Sequence, residues 1–295
     1  MKKPDFFIVG APRSGTISMQ KYLSEHPDIF MPAGEPSFFC PDYVKPRLSK
    51  EEYLDLFKKG KNKKVMGEKT VFYLPSNVAA KKIAQFNPEA KIIIMIRNPI
   101  EAVYSFHSKM ITLGRETISD FKKAWKRQGN RKIKKDNFYK GKLKEKTLFY
   151  GEVYKLGKHL KRFHDYFPEE NIKSILFDDF VRGEKEIYRE VLGFLNLGFD
   201  GRKDFSKVNS NKKTKSKLLN YILRMRGVIP VKKIKKILGI KRRIGLISRL
   251  MRVNQKESKR KPLDENFKLD LSNFFQDDIK LLSNLIDKDL SNWLK

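Results

Sequence analysis

The chain opens with an apolar run, Phe6 to Val9, that breaks at Gly10 into GAPRSGT and resumes as TISMQKYLS, where Ile17, Tyr22 and Leu23 stand among polar residues. This order of strand, glycine-containing turn and helix constrains the fold more than any other feature. A strand made only of apolar residues needs cover on both faces, and a helix leaving its end supplies part of that cover. The pattern recurs at Lys91–Ile96, KIIIMI, followed by Asn98 as N-cap, Pro99 at the first helical position and Glu101 completing an Asn-x-x-Glu capping box. That helix is predicted to run from Pro99 to about Met110. Further expected elements are a strand near Lys64–Met66, helices at 76–86 and 152–167, a strand at Ile172–Phe177 and a helix at 184–195. Strands alternating with helices specify an α/β fold, a mainly parallel sheet with helices on both faces.

The 295 residues, 40% hydrophobic and 12% aromatic, hold enough apolar material for one enzyme-sized core. Residues 1–206 are expected to form that core, 207–262 a basic helical cover, and 263–295 closing amphipathic helices that bury Phe267, Leu271, Phe274 and Trp293. The net charge is +31, from 65 Lys and Arg against 34 Asp and Glu, and it predicts attraction to polyanions, anionic ligands or an anionic membrane surface. Twelve basic residues fall between Lys122 and Lys146, and nineteen between Lys212 and Lys261 with Glu257 as the sole acid. Apolar residues interleave the second tract, which suits an amphipathic cover that binds an anionic acceptor or holds the chain against a membrane. The single cysteine, Cys40, excludes an internal disulfide and a cysteine-built zinc site, and the four histidines lack metal-ligand spacing. The start MKKPDFFIVGAPR is broken by Gly10, Pro12 and Arg13 before signal-peptide length, and the longest aliphatic run, 92–96, is far short of a membrane span. A cytoplasmic protein, free or peripheral at a membrane, is the expectation.

GAPRSGT joins a strand to a helix, so backbone N–H groups and the positive helix end converge where an anion can sit. Arg13, Ser14, Thr16 and Ser18 add side-chain donors around Gly15. The spacing from Gly10 to Gly15 imitates a Walker loop, but Thr16 stands where the lysine belongs, which disfavours an ordinary nucleoside triphosphatase. Read without other signals, the same loop serves equally as a plain connector. A second candidate lies at the end of the strand 91–96, the ligand-binding edge of a parallel sheet: Arg97, with Ser105 eight residues on in the following helix.

PRSGTIS resembles the 5′-phosphosulfate loop of the sulfotransferase family, with Ile17 replacing a usual Thr or Ser, and IRNPIEAVYSFH resembles that family's 3′-phosphate segment. The resemblance implies a sulfuryl transferase using 3′-phosphoadenosine 5′-phosphosulfate (PAPS) and no metal, with Arg13, Ser14, Gly15, Thr16 and Ser18 on the 5′ side. Arg97 and Ser105 would then hold the 3′-phosphate, and Tyr150, in the similar segment YGEVY, the adenine. HPDIFMPAGEPSFF resembles the Glu-x-x-Phe-Phe segment of carbohydrate sulfotransferases and makes Glu35 the implied general base. GEKT at 67–70, expected to follow the short strand, resembles the Glu-Lys-Thr of the same enzymes and places Lys69 by the sulfuryl group, with Arg13 as an alternative stabiliser of the leaving oxygen. His107 is expected to pack or to sit beside the phosphate rather than act as base. The implied acceptor is a hydroxyl or amine of a carbohydrate or glycolipid, and nucleic acid is not the expected partner. Two other classes fit parts of the chain: a P-loop-like small-molecule kinase, and a non-catalytic polyanion-binding protein for which the basic tracts suffice.

Overall fold

A computed structural model of the chain describes residues 2–128, 143–205 and 262–294, together with the backbone of 212–214 and 255–257. At its centre is β1 (Phe6–Gly10), parallel to β3 (Val65–Lys69) on one side and to β4 (Lys91–Ile96) on the other. Phe7 lies opposite Glu68 and Ile8 opposite Lys69, while Ile8 faces Ile93 across the other ladder. β2 (Ile29–Phe30) extends the sheet beyond β3 and β5 (Ile172–Leu176) beyond β4, giving the order β2-β3-β1-β4-β5 with every pairing parallel.

The apolar strands are buried on both faces because alternate residues point to opposite sides. Phe6, Ile8, Ile93 and Met95 pack under α1 (Thr16–Ser24), α8 (Phe177–Arg182) and α9 (Glu184–Phe194), which supply Met19, Tyr22, Phe180 and Tyr188. Phe7, Val9, Ile92 and Ile94 pack against α3 (Ala79–Phe86), α4 (Pro99–Thr112), α7 (Leu156–His164) and α10 (Glu265–Ile286). Smaller elements fill the rim: α2 (Lys50–Asp55) brings Tyr53 into the core, and α5 (Phe121–Arg127) and α6 (Tyr150–Val153) bring Phe121 and Tyr150.

The expected α/β architecture stands, and several boundaries move for identifiable reasons. β3 runs on to Lys69 instead of ending at Met66, so Gly67, Glu68 and Lys69 lie in the strand and not after it. Their polar character hid the strand, and tertiary partners described below satisfy both charges. The helix expected at 152–167 is two helices, because the chain turns at Tyr154 before α7 starts, and the helix expected from 76 begins at Ala79, with Ser76 accepting from the Ala79 N–H. Asn98 caps α4 by accepting from the Ile100 N–H, but the capping box is not formed, because Glu101 turns to Arg97 at 2.7 Å. At the C-terminus the expected helices are a 22-residue α-helix, which buries Phe267, Leu271 and Phe275 while Phe274 is 43% exposed, and a short 3₁₀ helix, Ser291–Leu294, which buries Trp293. The core stripe continues through Ile279 and Leu282, which assigns Phe275, not its neighbour, to the inner face. Where a helical basic cover was expected, the described residues are two antiparallel strands, β6 (Lys212–Thr214) and β7 (Gln255–Glu257), and the rest of 207–261 and of the tract at 129–142 lies outside the described residues.

α10 lies directly on α7. Asp278 accepts from the N–H groups of Gly157 and Lys158, both at 2.9 Å, and so caps the start of α7 from outside the helix. A side chain at Gly157 would meet the Asp278 carbonyl at 2.4 Å and the Leu282 nitrogen at 2.8 Å. Gly157→Ala is therefore expected to destabilise the fold by about 1–3 kcal/mol despite alanine's better helix propensity, because the two backbones must separate. Urea denaturation checks this; unchanged or increased stability would show that the helices do not meet this closely.

Candidate active site

β3, β1 and β4 run parallel and adjacent, so their C-terminal ends deliver Lys69, the loop after Gly10 and Arg97 to one edge of the sheet. The chain leaves β1 toward β2 and β3, then returns past it to build β4 and β5, and crevices at such reversals are where open parallel sheets bind ligands. The loop is pinned from three directions. Ala11 donates to the Met95 carbonyl, Tyr154 donates its hydroxyl proton to the Pro12 carbonyl at 2.8 Å, and Arg97 donates to the Arg13 carbonyl at 3.4 Å. These contacts hold Arg13 at φ 67°, a left-handed conformation that costs a non-glycine residue about 1–2 kcal/mol.

Gly15 precedes α1 at φ 86°, and a Cβ there would press on Met95, Phe177 and Phe180 at 3.2 Å each. No side chain caps α1 at this position and no acid lies in its first turn, so the helix start presents its N–H groups to the loop. Thr16 is buried, Ser18 is half-buried in the first turn, and Ile17 points outward at 41% exposure.

The two expected anion sites form one cluster. Arg13 donates from Nε to the Ser105 hydroxyl at 3.0 Å, linking the loop to α4 across the crevice. Burial pulls the Arg13 guanidinium below its ordinary pKa; Tyr154 opposes that shift and the neighbouring Arg97 charge adds to it. Arg97 is 18% exposed, pairs with Glu101 and lies over the Phe177 ring, 4.5 Å from its centroid. Ser14 Oγ and Arg97 Nε are buried without a hydrogen-bond partner among the described residues. Each such buried donor left unpaired costs about 1–3 kcal/mol, and an anion bound between them would remove that cost.

On the other side of β1, Lys69 is 4% exposed and donates to Glu35 Oε1 at 2.6 Å. Glu35 lies in the loop after β2 and is 31% exposed. Phe38 and Phe39 anchor that loop, Phe38 stacked on Tyr53 at 4.5 Å and Phe39 edge-on to Phe7 at 5.9 Å. A cavity of about 360 Å³ opens beside Glu35, lined by Ser37, Val44, Phe72, Leu113, Arg115 and Leu143. Among the described residues, no group of three or more His, Cys, Asp or Glu is placed to hold a metal ion, and no helix is long and apolar enough to cross a membrane.

The family model for a sulfotransferase domain matches residues 3–281. The chain belongs to this family. Its structure superposes on a crystal structure of a sulfotransferase from Alicyclobacillus acidocaldarius with a TM-score of 0.74, at 25% sequence identity over the whole of both chains. Heparan sulfate glucosamine 3-O-sulfotransferase 6 of Homo sapiens is 28% identical over 109 residues, 37% of this chain and 31% of that protein. The human bifunctional heparan sulfate N-deacetylase/N-sulfotransferase 2 is 32% identical over 113 residues, 35% of this chain and 12% of that protein. The match thus spans less than a third of these curated relatives.

Within this sulfotransferase domain, Arg13, Ser14, Gly15, Thr16 and Ser18 lie on the loop and the first turn of α1, Arg13 reaches Arg97 and Ser105, and Glu35 meets Lys69. Tyr150 does not join them. It is fully buried, edge-on to Phe106 and His107, with its hydroxyl donating to Glu116 at 2.8 Å, which makes it a residue of the core. Tyr154, four residues later, is the one that reaches the loop. His107 packs, as expected, with Nε2 on the Ile118 carbonyl at 2.8 Å. Phe177 escaped the sequence reading; an aromatic directly after β5, at the same edge as Arg97, was its only signal.

Glu68 also escaped. It is wholly buried and accepts from Tyr53 at 2.6 Å, Tyr73 at 2.9 Å and Thr70 at 3.1 Å. Burial pushes its carboxyl up to about 7 in spite of those three donors. A carboxyl raised on folding binds its proton more tightly in the folded state, so its contribution to stability is complete below the ordinary carboxylate range and is lost as pH rises through about 7. Relative to wild type, Glu68→Gln is therefore expected to gain up to about 3 kcal/mol of stability between pH 4.5 and pH 8. Parallel stability–pH curves for the two proteins would show that Glu68 titrates normally.

Proposed function

We propose that this sulfotransferase domain transfers a sulfuryl group from PAPS to a hydroxyl or amine of a carbohydrate or glycolipid. The observation that carries the reading is the pair of half-buried guanidiniums, Arg13 and Arg97, joined through the loop at the sheet edge, with Ser14 and Arg97 retaining unpaired donors. Two adjacent buried cations are costly without an anion between them. A nucleotide with phosphates at both ends fits, its 5′-phosphosulfate on residues 13–18 and its 3′-phosphate on Arg97 and Ser105. The Phe177 ring lies under the Arg97 guanidinium and beside Gly15, so it lines the same crevice.

Sulfuryl transfer forms a bond from the acceptor oxygen or nitrogen to sulfur and breaks the bond from sulfur to the 5′-phosphate oxygen. The electron pair leaves with that oxygen, and the acceptor's proton must go to a base. Glu35 is that base: it is partly exposed, borders the cavity, and is held in place by Lys69. Lys69 and Arg13 stabilise the charge that develops on the departing oxygen. The named activity of the heparan sulfate relatives and the net charge of +31 support an acidic glycan acceptor, with the basic tracts binding it or an anionic membrane.

Three measurements test the assignment. Thermal stabilisation by 3′-phosphoadenosine 5′-phosphate should exceed that by ATP or 5′-AMP, since the 3′ group has donors of its own; preference for ATP would favour a phosphoryl transferase. Arg97→Ala and Ser105→Ala should each weaken the 3′-phosphorylated nucleotide by about tenfold or more while 5′-AMP changes little, and equal losses for both nucleotides would contradict the 3′ site. Glu35→Gln should cut turnover by about 10²-fold or more with nucleotide affinity retained; near-normal turnover would remove Glu35 as the base.

A further inference from the structure

Glu68 is the least expected group in the core. A fully buried carboxyl in an interior strand has a large desolvation cost, and an apolar residue of similar size in its place avoids it. The three hydroxyls around it show what the carboxyl organises. Tyr53, Tyr73 and Thr70 each have one proton to donate, and each donates it to Glu68. The oxygens of two of them are thereby left to accept, and both accept from the loop that carries Glu35. The Ser37 N–H donates to Thr70 Oγ1 at 3.1 Å and the Phe38 N–H to the Tyr73 hydroxyl at 3.0 Å.

Those two amides lie two and three residues after Glu35, in a stretch with no regular structure and with Ser37 held at φ 57°. The strand geometry explains why one element serves both ends of the arrangement. Glu68 and Lys69 are consecutive in β3, so they project to opposite sides; one organises the hydroxyls beneath the loop while the other binds the Glu35 carboxylate. Burial holds the Tyr53 and Tyr73 hydroxyls protonated far above neutrality, so they remain donors.

We propose that Glu68 is a positioning residue for sulfuryl transfer: through Thr70 and Tyr73 it fixes the loop at residues 35–39 and so sets the Glu35 carboxylate against Lys69. This rests on Glu35 being the base, as assigned above. Glu68 touches neither donor nor acceptor, and its effect reaches the reaction only through the loop.

The test pairs a structural readout with a kinetic one on Thr70→Val, Tyr73→Phe and Glu68→Gln, with Thr70→Ser as the restoring variant. Amide hydrogen exchange at Ser37 and Phe38 should accelerate about tenfold or more in the first three and return toward wild type in Thr70→Ser. Turnover should fall about tenfold or more in the same three proteins, with affinity for 3′-phosphoadenosine 5′-phosphate within about twofold, because the loop is displaced while the phosphate loop is not. Unchanged exchange at the two amides overturns the proposal. So does faster exchange with undiminished turnover, or a loss of turnover matched by equal losses of nucleotide binding and melting temperature, which would mark a general loss of folding. Should Glu68→Gln fail to fold, the two hydroxyl variants decide alone. A wild-type protein that transfers no sulfuryl group overturns the assigned reaction and Glu68's part in it, while the exchange data still decide whether Glu68 holds the loop.

Discussion

β1 is hydrogen-bonded along both edges and sealed on both faces, and each functional group at the site is held by reference to it. Thr70 donates to the Ile8 carbonyl and Leu74 to the Val9 carbonyl, so the chain after β3 follows β1 to its end. Ala11, the first residue past β1, donates to Met95 in β4. Five residues thus align the two neighbours that carry Lys69 and Arg97. A parallel sheet sends adjacent strand ends to the same edge, and this is why cationic groups separated widely in sequence meet there.

The site keeps its charges in surroundings that work against them. Arg13 and Arg97 share a half-buried position, Lys69 is almost fully buried, and Glu68 has no solvent contact at all. Lys69 is balanced inside the protein by Glu35, and Glu68 accepts from three hydroxyls that only partly offset its burial. The guanidinium pair is balanced only in part, by Glu101, the Ser105 hydroxyl and a backbone carbonyl. That imbalance separates a binding site from a structural ion pair: a fold built for stability alone would pair or remove such charges. It also agrees with the sulfotransferase family to which the chain belongs, whose donor carries anionic groups at both ends.

The side of the sheet edge that carries Glu35 is built differently. Around Glu35 the cavity walls include Val44, Phe72, Leu113 and Leu143, with Arg115 as the one cation among the described lining residues. Its position depends on the loop at 35–39, which has no strand or helix of its own and relies on ring packing by Phe38 and Phe39 and on hydroxyls organised by Glu68. The placement of Glu35, the proposed base, therefore comes from the core beneath it, a common solution where a side chain with a fixed orientation sits on a loop.

The local signals were readable in the sequence because their chemistry is local. An apolar run ending in Gly10-x-x-x-x-Gly15, a second ending in Arg97-Asn98-Pro99, and an acid ahead of Phe38-Phe39 set the α/β class, the anion loop and the candidate base. Where a residue's role depends on partners distant in sequence, the linear pattern misled. Glu68 and Lys69 look like residues past the end of a strand until Tyr53, Tyr73 and Glu35 are brought to them, and Glu101 looks like half of a capping box until Arg97 competes for it. Tyr150 has the right motif for a ligand contact, but α4 and α5 close over it and leave Tyr154 at the loop. The sequence by itself determined the apolar strands β1, β4 and β5 and the glycine-containing loop after β1, since apolar periodicity and glycine placement act within a few residues. Only the tertiary structure decided which buried charges are paired and which stay unsatisfied, because desolvation and hydrogen-bond balance are properties of the assembled surroundings and not of any single stretch of chain.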